Sequence, residues 1–101
     1  MTASREPGFE LNRVPGKLAV GGVLSFDTAA AALKAIQAAM VGGDVGELDL
    51  GDVSHCDSAG LACVLAVAAE ADTRGTALRV TRMPAGMQAL AQVCEVDRLM
   101  A

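Results

Sequence analysis

LDLGDVSHCDSAGLACVLAVAAEADTRG, residues 48–75, carries a strand, a junction and a helix in immediate succession, and their order decides the fold. In Glu47-Leu48-Asp49-Leu50 the leucines fall on one face and the acids on the other, the two-residue period of a half-buried strand. Asp57 or Ser58 then offers an N-cap for a helix running to about Arg74, with Leu61, Val64, Leu65 and Ala68 as its apolar stripe and Gly75 as its stop. Past that glycine, TALRVTR at 76–82 alternates again, Leu78 and Val80 against Arg79 and Thr81. A strand that reaches the next strand through a helix returns parallel to itself, by a right-handed crossover.

Upstream, Phe9 and Leu11 alternate with Glu10 and Asn12, Pro15-Gly16 turns the chain, and Leu18 and Val20 alternate with Lys17 and Ala19. This pattern predicts a hairpin that ends at Gly21-Gly22. Asp27-Thr28 then caps a helix in TAAAALKAIQAAMV, residues 28–41, where Ala29, Leu33, Ile36 and Met40 recur at helical spacing before Gly42-Gly43. Downstream, Pro84 opens a last helix whose Met87, Leu90, Ala91 and Cys94 share a side. The predicted order is β-β-α-β-α-β-α. Because every strand is polar at alternate positions, helices are expected on one face only, whereas a sheet covered on both faces would read as continuous apolar runs. The expected fold class is therefore α/β, a small mixed sheet with helices packed on one face. A single domain spans 1–101, with 1–8 as a loose N-terminus.

Composition limits what such a domain does. Eight basic residues against twelve acidic ones give a net charge of -4, and the only aromatics are Phe9 and Phe26. The chain has neither a phosphate-neutralising surface nor a platform for stacking bases, which argues against nucleic acid as a partner. Its longest small or apolar run, Ala59 to Ala69, falls short of the roughly 18 residues of a membrane span, so no direct membrane insertion is expected. The opening MTASREPGFE lacks the apolar core of a secretory signal. Cys56, Cys63 and Cys94 are odd in number and lack C-x-x-C spacing, which favours reduced thiols, packed as small hydrophobes, in a cytoplasmic setting.

The junction HCDSAGLA, residues 55–62, gathers the only histidine with a cysteine, an aspartate and a serine. A hydrolytic serine needs a base within reach and a glycine two residues before it as well as after; Cys56 occupies the earlier position, and His55 has no evident third group to orient it. Three consecutive side chains cannot easily converge on one ion, and no second cluster completes a tetrahedral set. The expectation is a protein with no catalytic residues, no metal and no cofactor. A helix N-terminus carries unpartnered N–H groups and favours negative charge, and Ala59 and Gly60 keep the first turn free of bulk. Such a helix end suits docking, and an ordinary cap with small residues that pack the helix on the sheet explains the same residue types.

The strand ending in Asp-Leu, the loop with Val53, Asp57-Ser58-Ala59-Gly60-Leu61 at the helix start and Gly75 before the next strand together resemble a STAS domain over roughly residues 9–100. Within that family, the downstream half resembles the small STAS subunit of the ABC system that moves phospholipids to maintain outer-membrane lipid asymmetry. The likeness lies in Gly60-Leu61-Ala62, Met83-Pro84, Gln88-Ala89-Leu90-Ala91 and Val96-Asp97-Arg98-Leu99. The resemblance implies a non-enzymatic partner of the ABC transporter ATPase, joined to the permease in the assembled complex and held at the inner membrane only through that partner. It implies a partner-binding surface made of Ser54, His55, Asp57, Ser58, Ala59 and Gly60. The alternative it implies is an anti-sigma factor antagonist with Ser58 as phosphoacceptor, although Ala59 stands where those antagonists usually carry a second hydroxyl residue. From Gly42 to Asp57 the acids Asp44, Glu47, Asp49, Asp52 and Asp57 occur with no Lys or Arg, so the edge carrying the motif is expected to be electronegative.

Overall fold

The computed structural model describes the backbone of residues 2–6 and the whole of residues 8–41 and 45–94. Its elements are β1 (Thr2–Glu6), β2 (Phe9–Val14), β3 (Lys17–Leu24), α1 (Ala29–Met40), β4 (Glu47–Cys56), α2 (Ser58–Thr73), β5 (Arg79–Thr81) and α3 (Ala85–Val93). The five strands lie side by side in sequence order, antiparallel from β1 to β3 and parallel from β3 to β5. Both parallel connections step across the sheet in the same direction, so right-handed crossovers put α1 and α2 on one face, and α3 packs beside α2. From Phe9 onward this is the expected β-β-α-β-α-β-α order. The loose N-terminus expected at 1–8 instead supplies β1, because Thr2–Glu6 pairs along the outer edge of β2.

The core forms where the alternating strands meet the helices. Leu18, Val20, Leu24, Leu48 and Leu50 stand up from the sheet, and Ala32, Ile36, Leu61, Val64, Val67, Met87 and Ala91 close over them. Helix α2 ends as Gly75 predicts: at φ +75 the glycine N–H bonds to the Asp72 carbonyl, and the Thr76 N–H reaches back to that of Ala71. Two strand boundaries differ from expectation. β5 is three residues long, and β4 continues through Val53, expected in a loop, to His55 and Cys56. Register shifts opposite β3 let β4 run on, and the extra residue Ser54 donates its hydroxyl to the Gly22 carbonyl (3.2 Å). The three cysteines separate: Cys63 is buried and Cys56 half-buried, but Cys94, expected on the inner side of α3, caps that helix in solvent.

Asp49 is the largest departure. Strand alternation places it on the open face with Glu47, yet it is 2% exposed. A buried carboxylate is costly unless its lone pairs are met, and here four contacts meet them. Arg82 grips it in bidentate fashion, Nε to Oδ1 at 2.9 Å and Nη2 to Oδ2 at 2.7 Å. The Gly51 N–H donates to Oδ1 at 2.9 Å, and the Lys17 ammonium stands 3.2 Å from Oδ2. A side chain at Gly51 would occupy the space of the Arg82 guanidinium, and Arg82 itself adopts the left-handed backbone (φ 51) rarely seen outside glycine. The Arg82 hydrogen bond, helped by the Gly51 N–H and Lys17, outweighs burial and holds the Asp49 carboxyl well below its ordinary value.

The unfolded chain therefore takes up this proton at higher pH than the folded chain does, and stability falls as pH drops below about 4 while being fully present above about 5. Asp49→Asn should lower stability at pH 7 by about 1 to 3 kcal/mol and flatten the acid decline. Thermal melts of both proteins between pH 3 and 7 measure this.

Candidate functional site

The junction between β4 and α2 is assembled around one carboxylate. Asp57, extended at the N-cap, accepts the N–H groups of Ala59 (2.9 Å) and Gly60 (3.1 Å) on Oδ1. Its Oδ2 accepts the Phe26 N–H at 3.0 Å, which fastens the loop after β3 to the start of α2. The Phe26 bond, then the bond from Gly60 and to a lesser degree that from Ala59, hold this carboxyl below its ordinary value. Of the two cap residues the sequence left open, Asp57 is the one used. Ser58 is exposed, and its hydroxyl makes no hydrogen bond with any described residue.

Thr28 locks the same loop from its other side. Rather than bonding into α1, its hydroxyl donates to the Val23 carbonyl (2.8 Å) and accepts the Ser25 N–H (2.9 Å). Between these clasps Phe26 projects into solvent, 83% exposed. The expected surface did not include it. The available signal is an aromatic outside any apolar period, between a strand end and the Asp27-Thr28 cap.

Of the six residues expected to bind a partner, Ser54, His55, Ser58 and Ala59 present at least part of themselves to solvent at this end of the sheet, and Asp57 shapes it from below. Gly60 is a correction. It is buried, and a Cβ there would collide with the Leu24 carbonyl, so its smallness admits the end of β3, not a partner. The expected acidic edge also needs correcting. Asp49 is neutralised as above, Glu47 pairs with Arg79 (3.5 Å), and Asp44 lies outside the described residues. Asp52 and Asp57 remain, joined by exposed Asp27.

Little here supports bond-making chemistry. No hydrogen bond joins Ser58 to His55, and among the described residues no three His, Cys, Asp or Glu side chains gather where a metal could be held. Burial and the neighbouring Asp57 charge push the Cys56 thiol up, and burial pushes Cys63 up to about 11, so neither is a ready thiolate. No helix among the described residues is long and apolar enough to cross a membrane. What the site offers is a stiff, solvent-facing helix start beside a pinned aromatic.

A family described as "Mlab, STAS domain" matches residues 8–101. No curated protein matches the chain. Among solved structures, the anti-sigma factor antagonist SpoIIAA in its unphosphorylated form aligns with TM-score 0.69 at 18% identity, over 92% of this chain and 85% of that one. The Bacillus cell fate determinant SpoIIAA in its phosphorylated form aligns with TM-score 0.66 at 18% identity, over 92% and 88%. The fold is thus that of SpoIIAA.

Removing the cap should separate the two neighbouring residues. Asp57→Ala is expected to lower the melting temperature and release the Phe26 loop, whereas Ser58→Ala should melt with the wild type. Calorimetry together with amide exchange at residues 25–28 measures both effects.

Proposed function

Because the chain belongs to the STAS-domain family, whose members generally serve in protein–protein interaction, we propose that it is a non-enzymatic subunit of an ABC phospholipid transport system. It docks on the ATPase through the β4–α2 junction and stabilises or regulates it, in a system that maintains outer-membrane lipid asymmetry. Its place is the cytoplasmic side of the inner membrane, reached only through that partner. The observation that carries this reading is the first turn of α2, where Ser58 and Ala59 meet solvent and the Ser58 hydroxyl bonds to no described residue. The Mlab description of the matched family and the sequence likeness in Met83-Pro84 and Gln88-Ala89-Leu90-Ala91 favour the transporter over other STAS settings.

A domain without chemistry of its own can change an ATPase only by binding some of its states more tightly than others. The junction suits that role because Asp57 holds it in one shape before binding, so little ordering remains to be done on contact. The second reading, an anti-sigma factor antagonist, draws on the same free hydroxyl. A phosphate on Ser58 would sit at a helix N-terminus that tolerates it, while repelling a partner seated there.

Ala59→Glu distinguishes folding from docking, since an acid in the first turn suits the helix but puts charge and bulk into the contact. The variant should melt as the wild type does, fail to co-purify with the ATPase, and leave ATP turnover of the reconstituted complex at the level seen without this subunit. Equal turnover with and without the wild-type chain, or recovery of a kinase-like anti-sigma factor instead, would reverse the order of the two readings.

A further inference from the structure

We infer that Phe26 is the anchor of this docking surface and that its occupant is a nonpolar socket on the ATPase rimmed by Lys or Arg; the inference rests on the docking reading above. Phe26 is one of two aromatics in the chain, and the other, Phe9, is buried in the core. An aromatic ring left 83% in water gains nothing for the fold, but it is the kind of side chain that dominates interface energies once a pocket takes it up.

Its backbone is already ordered. The Phe26 N–H is held by Asp57, and the chain just before it is clasped at Val23 and Ser25 by the Thr28 hydroxyl, so binding need fix only the ring. The carboxylate that holds Phe26 also caps the turn carrying Ser58 and Ala59, which makes the two features one continuous surface.

Charge selects the socket's rim. Asp27 follows Phe26 directly and Asp57 lies beneath it, and among the described residues neither carboxylate is ion-paired with Lys or Arg. Three cations of the sheet end are committed elsewhere, Lys17 and Arg82 to Asp49 and Arg79 to Glu47. A basic rim complements these acids. A second copy of this chain would set the same acids against one another, and an anionic lipid surface would repel them.

The test is isothermal titration of the purified ATPase of the phospholipid ABC transporter from the same organism with wild type, Phe26→Ala, Phe26→Leu, Asp27→Lys and Ala59→Glu, after melts establish that each variant folds. Phe26→Ala should weaken binding about 30-fold or more, as loss of a hot spot does, while Phe26→Leu recovers most of the affinity. Asp27→Lys should slow association about tenfold at low salt, measured by stopped flow, with the difference closing at high salt. If Ala59→Glu abolishes binding but Phe26→Ala stays within twofold of wild type, docking stands and the anchor is refuted. Unaltered binding by both variants, or no binding by the wild type, overturns the docking reading and the anchor together. Concentration-dependent dimerisation of the wild type that Phe26→Ala removes would make a second copy the occupant and overturn the inference.

Discussion

The carbonyl of Leu24 at the end of β3 is where the sheet, the helix layer and the candidate site are joined. It accepts the Asp57 N–H at 3.2 Å, and the first turn of α2 lies so close above it that only glycine fits at position 60. That contact fixes the height and entry angle of α2, whose inner side supplies Leu61, Val64 and Val67 to the core. Asp57 can therefore do two tasks at once. With α2 seated on the strand end, its Oδ1 faces the free N–H groups of the helix and its Oδ2 faces the Phe26 loop. A larger residue at 60 would lift the helix and separate those partners, and overpacking of this kind typically costs about 1 to 3 kcal/mol.

The same contact sets the environment of the reactive residue types gathered at this junction. Asp57 is saturated with N–H donors, which hold its carboxyl low and leave it a poor proton acceptor. Cys56 faces the opposite problem, its thiolate disfavoured by burial and by the Asp57 charge. His55, at the exposed end of β4, has no hydrogen bond to Ser58. The residues are close in sequence, and the strand-to-helix turn uses Asp57 to join two elements.

Most of the fold was legible because it depends on local periodicity. The alternation of Leu18 and Val20, and of Leu48 and Leu50, selects the sheet face, while Asp57 and Gly75 bracket α2. What was not legible depends on residues distant in sequence. Nothing within Glu47-Leu48-Asp49-Leu50 distinguishes a buried Asp49 from a solvated one; the difference is made by Arg82, which must turn into a left-handed conformation over Gly51 to reach it. The extension of β4 through His55 was hidden for a similar reason, because register shifts against β3 break the two-residue period. At the site, the exposed Ser58 and half-buried Ala59 follow from the motif's place at a helix start, whereas the role of Gly60 could not be read from it. A small residue in a first turn looks the same whether it makes room for a partner or for the chain's own backbone.

The pairing of the acids bears on the docking proposed above. An unbroken acidic edge would attract any cationic surface, and its effect would be chiefly on encounter rate. Instead Glu47 and Asp49 are paired with Arg79, Arg82 and Lys17, and among the described residues Asp57 at the start of α2 and Asp27 in the loop before α1 have no Lys or Arg partner. Attraction is thereby concentrated beside an exposed ring and a helix start whose backbones are fixed. Under the docking proposed above, a partner would have to match both shape and charge at the same few residues.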